Sequence, residues 1–125
     1  MITEDYCSFE VAKLLKEKGF DELCIFKYNS EGVRMKAGAA IDEWQNSELD
    51  DDECSCVSHQ MAMKWLREVY NIVISIFPTI ETDVIVREDY NYAIYKNKTV
   101  VYQSCSTSYE QAIEAAIKYS LENLI

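Results

Sequence analysis

The sequence predicts an α+β fold: an antiparallel sheet of about four to five strands with three helices packed mainly on one face, in the order α-β-β-α-β-β-β-α. Three observations predict it. Three segments open on a serine and then place apolar residues at helical spacing. Runs of β-branched and aromatic residues follow one another across short polar turns, as hairpins require. Strand and helix never alternate in the rhythm that builds a parallel sheet. With 125 residues, 49% apolar and 27% charged, the chain has the size and composition of a single domain spanning 1–125.

The first helix is expected after Ser8, with Val11, Ala12, Leu14 and Leu15 on its apolar stripe and Gly19 as its left-handed terminator. Leu23 to Tyr28 reads as a strand, and the turn Asn29-Ser30-Glu31-Gly32 leads into a second strand near Val33 to Lys36. Residues 38–57 lack sustained periodicity and read as an acidic loop or flap, anchored by Ala39, Ala40, Ile41 and Trp44. Ser58 caps a second helix whose core face carries Ala62, Trp65, Leu66 and Val69, with Lys64, Arg67 and Glu68 opposite. Ile72 to Phe77 is β-branched and is expected to stop at Pro78, which has no N–H for a ladder bond.

Val84 to Val86 and Tyr90 to Tyr95 read as extended, and Lys96-Asn97-Lys98 turns the chain into Thr99 to Tyr102 as a terminal hairpin. Ser108, with Gln111 three residues on as a capping box, opens the last helix, which aligns Ala112, Ile113, Ala116, Ile117, Leu121 and Leu124. The three helix starts share the pattern Ser, ring, Glu or Gln, any residue, Ala. Duplication of a helix-plus-hairpin unit and convergent capping leave the same trace, and so short a string favours convergence.

Ile2 to Tyr6, Ser8 to Asp21, His59 to Val69 and Tyr109 to Ile125 resemble a family of small hypothetical proteins from gut-anaerobe bacteria and their phages or mobile elements. The strings that carry the resemblance best are His59-Gln60-Met61-Ala62-Met63-Lys64-Trp65-Leu66-Arg67-Glu68-Val69 and Glu114 to Ile125. It implies a cytoplasmic origin and a mobile-element context, and no activity, substrate or catalytic residue comes with it.

Charge narrows the partners. The formal net charge is −10, from 22 acids against 12 bases. Lys and Arg supply most non-specific affinity for phosphate backbones, so direct nucleic-acid binding is not expected. Acids at Met1 to Asp5 stand where a secretory signal carries positive charge, and no apolar run approaches the roughly 20 residues of a membrane span. An odd set of five cysteines without secretory context fits reduced thiols in a cytoplasm.

Cys54, Cys56 and His59 form the one cluster with plausible zinc ligands, although their spacing departs from paired metal knuckles and the plain reading is reduced thiols near a helix start. Cys56 with His59 also suggests a thiol/imidazole pair, opposed by the acids nearby. Asp50, Asp51, Asp52 and Glu53 offer oxygen ligands but lack the alternating spacing and glycine of a calcium loop, so a solvated charge run is expected. Three glycines cannot build a P-loop or dinucleotide fingerprint, and the single histidine sits in no nucleophile-elbow context.

Tyr90, Tyr92, Tyr95 and Tyr102 could stack on a ligand, but strands favour tyrosine and cross-strand packing is the expected use. Together with Asp50, Asp51, Asp52 and Glu53, they are the candidate interaction surface. The resulting expectation is a small non-enzymatic intracellular interaction or accessory protein without cofactor, binding an unidentified protein and compatible with homo-oligomers. An acidic decoy that inhibits a nucleic-acid-binding protein is the second reading, and a metal or thiol site at Cys54, Cys56 and His59 the third.

Overall fold

Ser8 opens helix α1 (Phe9–Glu17) by accepting the Val11 N–H on its hydroxyl at 3.2 Å. At the other end Gly19 turns left-handed, at φ +95°. There the Phe20 N–H reaches the Leu15 carbonyl at 2.9 Å and the Gly19 N–H reaches that of Lys16 at 3.1 Å. This bond pair closes a helix whose next residue adopts positive φ, with an apolar contact alongside. Phe20 and Leu15, both buried, are placed to supply it. The structure, a computed structural model, describes residues 1–38, 43–81 and 84–125, with side chains at all of these except 80, 81 and 84–88. The chain divides into two compact units, Met1–Ala62 and Met63–Ile125.

In the first unit, strands β1 (Phe26–Tyr28), β2 (Arg34–Lys36) and β3 (Cys54–Ser55) form an antiparallel sheet in the order β2-β1-β3. The β1–β2 turn is held by Asn29, whose Oδ1 accepts the N–H groups of Glu31 and Val33 at 2.9 and 3.0 Å. Gly32 is required there twice over. Its φ is +79°, and a Cβ would stand 2.7 Å from the Phe9 ring. Helix α1 packs on β3, and Cys7, Val11, Ala12, Leu15, Phe20, Cys54, Cys56 and Val57 fill the core.

The stretch 38–57, expected to be a loop or flap, instead contains a 3-10 turn at Asn46–Glu48 and strand β3. Its order comes from tertiary bonds: buried Asn46 donates from Nδ2 to the Phe20 carbonyl at 2.7 Å, and its Oδ1 accepts the Ser55 N–H at 2.8 Å. Ala39, Ala40, Ile41 and Asp42 lie outside the described residues.

The boundary between the units falls within helix α2 (His59–Tyr70), which Ser58 caps by accepting the Met61 N–H at 3.1 Å. Ala62, Trp65 and Leu66 are buried as expected, whereas Val69 is 56% exposed and belongs to the outer face. Asn71, at φ +55°, turns the chain into the second unit's sheet. There β4 (Ile72–Glu81), β5 (Val84–Lys96) and β6 (Thr99–Ser106) run antiparallel in the order β4-β5-β6.

Pro78 does not end β4. The strand lies at a sheet edge, where a nitrogen without hydrogen is tolerated, and the register shifts between Pro78 and Ile80. The two extended segments expected around Val84 and Tyr90 are one continuous strand, β5.

Helix α3 (Tyr109–Asn123) covers one face of this sheet and buries Ala112, Ile113, Ala116, Ile117 and Leu121. Each large aliphatic side chain so buried stabilises the fold by roughly 1.5–3 kcal/mol. Ser108 accepts the Gln111 N–H at 3.1 Å, but the Gln111 side chain meets the Thr107 hydroxyl rather than the cap backbone, so only half of the expected capping box forms. The expectation of one sheet of about four to five strands under three helices is therefore corrected. Among the described residues six strands form two three-stranded sheets, because β1 and β2 pair with β3 and not with the later strands.

The β5–β6 turn places both Asn97 (φ +52°) and Lys98 (φ +68°) in the left-handed region, as a two-residue hairpin turn of this hand requires. Lysine holds that conformation at a cost that glycine avoids. Lys98→Gly is expected to raise the unfolding free energy by about 0.5–1 kcal/mol in urea titrations, and an unchanged or lower midpoint would contradict this account of the turn.

Candidate functional site

The β1–β3 ladder fixes where the thiols stand. Tyr28 pairs with Cys54 and Lys27 with Ser55, and the Cys56 N–H continues the pairing to the Phe26 carbonyl at 2.9 Å. Cys54 and Cys56 thus share one face of their strand, yet meet different surroundings. Burial pushes the Cys54 thiol up to about 11, although Lys16 and Lys13 pull it down. Burial also raises Cys56, against the lowering effect of a Tyr28 hydrogen bond and the Arg34 charge. Both are therefore thiols, not thiolates, at neutral pH.

His59, the first residue of α2, donates its N–H to the Asp5 carbonyl at 2.9 Å and is buried. Cys54, Cys56 and His59 do not come together as a set of ligand atoms within 4.8 Å. The thiol beside the His59 ring is that of Cys7, within 4.8 Å. The Tyr6–Ser58 bridge and the Cys7 N–H bond to the Val57 carbonyl at 2.8 Å align the two segments. Sequence reasoning did not pair Cys7 with His59, because the two are far apart along the chain. The one signal at Cys7 was its place just before the serine cap of α1.

The acidic run is a turn wrapped around a lysine. Lys16 Nζ donates to the carbonyls of Asp50 and Glu53 at 2.7 and 2.6 Å, and Glu53 Oε2 accepts from Lys27 at 2.8 Å. That hydrogen bond holds the Glu53 carboxyl below its usual range. The side chains of Asp50, Asp51 and Asp52 stay exposed.

The tyrosines divide between two sheet faces. Tyr102 stacks on Tyr119 of α3 at 3.8 Å and 13°, Tyr90 meets Tyr109 edge-on at 5.6 Å, and Tyr92 is buried beside Tyr102. Tyr95 lies between Val73 and Val100, on the face away from α3. Three of the four rings thus serve packing of α3.

Among the features open to solvent, one lies in each unit. In the first unit a cleft of about 170 Å³ is lined by Glu4, Tyr6, Cys24, Cys56, Ser58 and Met61 among others. The Arg34 guanidinium lies 5.0 Å from the Tyr6 ring centre and 4.8 Å from that of Phe26. Cys24 is held by paired backbone bonds with Trp44 at 2.8 and 2.7 Å, and burial and the neighbouring Cys56 raise its thiol to about 11. In the second unit, β6 is an edge strand of eight residues, Thr99-Val100-Val101-Tyr102-Gln103-Ser104-Cys105-Ser106, none of them charged. Val100 and Val101 are 43% and 40% exposed.

The fold and these features define an α+β protein of two small antiparallel sheets, with a thiol-lined cleft on one and an open strand on the other. No family model, curated protein or solved structure matches the chain. Among the described residues no helix is long and apolar enough to cross a membrane.

Proposed function

We propose that the chain is a small non-enzymatic interaction protein that takes a protein partner by strand addition to β6. The observation that carries this reading is an exposed, uncharged edge strand on a chain of net charge −10. An open edge offers a row of backbone donors and acceptors to an incoming extended segment, and sheets ordinarily blunt such edges with charge, proline or bulges. The opposite edge, β4, carries Pro78 and a register shift. On β6 the irregularity sits near the turn, beside Val101, and leaves Tyr102 to Ser106 in regular pairing.

The buried Cys7 and His59 give a substrate little access, which supports the non-enzymatic reading. The acidic-decoy reading has less behind it, since Glu53 is engaged by Lys27 and only three carboxylates of the run remain for a basic partner. A mobile-element accessory acting on a host protein accords with the resemblance of the helical strings.

With the wild-type chain as bait and its recovered partner purified, the variant Val100→Lys/Val101→Lys is expected to bind at least about tenfold more weakly while keeping its fold. Amide exchange along β6 should slow in the complex. Equal affinity of the variant, with β6 amides still exchanging freely, would count against strand addition.

A further inference from the structure

We propose that a second copy of this chain covers β6 in the free protein, the two strands pairing antiparallel about a two-fold axis at Ser104. The inference rests on the strand-addition reading and names an occupant of that edge, which any other partner must displace.

An antiparallel pair of identical strands is self-complementary, since each backbone donor or acceptor on one edge meets its counterpart on the other. A two-fold that reverses strand direction and keeps both strands in one sheet stands perpendicular to that sheet. One residue then faces its own copy, and its neighbours pair in reverse order. The three strands become six, in the order β4-β5-β6-β6-β5-β4. Both outer edges are now β4, whose Pro78 and register shift offer a further strand only a broken ladder. The assembly closes at two copies.

Two observations place the axis, and they agree. Regular pairing of β6 with β5 runs from Tyr102 to Ser106, a stretch whose midpoint is Ser104. The irregularity beside Val101 falls outside it. Charge has the same midpoint. The uncharged strand is bracketed by Lys98, exposed in the β5–β6 turn, and Glu110, exposed in the first turn of α3. An axis at Ser104 carries Lys98 of each copy to the end of the other that holds Glu110, whereas a parallel second strand would set like charges together. Between those ends Ser104 faces Ser104, Gln103 faces Cys105 and Tyr102 faces Ser106, with no charge opposed.

The contact is small. An eight-residue edge buries less than the roughly 800 Å² per partner of a stable interface, so the dimer dissociates on dilution and yields to a tighter partner. Ten net negative charges on each copy oppose it, and the exposed Lys98 and Glu110 pairs set orientation more than affinity. Raising ionic strength from about 0.01 M to about 0.15 M shortens screening from roughly 30 Å to about 8 Å, and dimerisation should tighten at least about tenfold.

Sedimentation of the whole chain across a concentration series, with reductant present, is expected to show a reversible dimer and no larger species. Lys98→Glu should weaken it at least about tenfold, and Lys98→Glu/Glu110→Lys, which keeps the wild-type net charge, should restore it to within about threefold. On oxidation Ser104→Cys/Cys105→Ser should link two chains, because residues directly opposite have Cα atoms roughly 4.5–5.5 Å apart. Wild-type Cys105, diagonal to its own copy at roughly 7–8 Å, should not. A monomer up to the solubility limit, a dimer indifferent to Lys98→Glu or not restored by the charge swap, or a folded Ser104→Cys/Cys105→Ser protein that stays unlinked overturns the proposal. Should that variant unfold, amide exchange of the wild type decides: β6 amides that slow with concentration support the dimer, and β6 amides indifferent to it overturn it. If the dimer fails while a different partner slows the β6 amides, strand addition still stands; if they exchange freely in every complex, both readings fall.

Discussion

Asn46→Ala is expected to lower the unfolding free energy by roughly 2–5 kcal/mol, a large share of the roughly 5–15 kcal/mol typical of a domain. Asn46 is only 5% exposed, and its amide joins the carbonyl of Phe20, just past the end of α1, to the backbone N–H of Ser55 on β3. Alanine would remove both bonds, taking a donor from the Phe20 carbonyl and the acceptor from the buried Ser55 N–H, at about 1–3 kcal/mol each. Asn46→Asp keeps an acceptor for Ser55, loses the donor to Phe20 and buries a charge, so it should lose a comparable amount. Urea titration of the three proteins measures this. A loss below about 1 kcal/mol for alanine would mean that water replaces the amide and that the 3-10 turn is not tied in as its bonds indicate.

The second large effect is alkaline. Cys54 is fully buried, and its thiol is raised from an ordinary 9.0 to about 11, so the folded chain keeps a proton that the unfolded chain releases. A raised folded pKa contributes stability that is fully present below pH 9 and is lost as pH climbs toward 11. The loss is on the order of 2–3 kcal/mol for this group. Burial raises Cys24, Cys56, Tyr6 and Tyr92 as well, so each adds a loss of the same sign at high pH. Urea midpoints at pH 8 and pH 10.5, with reductant present, should fall steeply for the wild type and less steeply for Cys54→Ala. Parallel declines in the two proteins would show that Cys54 does not hold its proton in the folded state.

Local signals were readable in the sequence. Ser8, Ser58 and Ser108 each accept the N–H three residues on, a bond decided within one turn of chain. Gly19 and the Asn97-Lys98 turn are equally local. Pairing between distant segments was not readable. Strand β3 has two residues, too few to show alternation, and exists because β1 lies beside it. Asn46 resembles any loop asparagine until its partners, 26 and 9 residues away, are known.

Pro78 obeys the rule against central-strand proline, but which strand is central is a property of the sheet. The thiol sites show the same limit. Closeness along the chain favoured Cys56 as the neighbour of His59, and the fold brings Cys7 there instead. Cys24 and Met61 carried no recognisable spacing, because the cleft that they line with Cys56 depends on the β1–β3 register and the start of α2.

The neutral border of β6 also governs how the protein behaves in the tube. Ten surplus negative charges keep copies apart in dilute buffer, where the screening length is roughly 30 Å at 0.01 M ionic strength. At 1 M it shrinks to about 3 Å, and that mutual avoidance is gone before two bare strands touch. Concentrated stocks of this acidic chain therefore keep best in nearly salt-free solution, and brine brings them toward clouding.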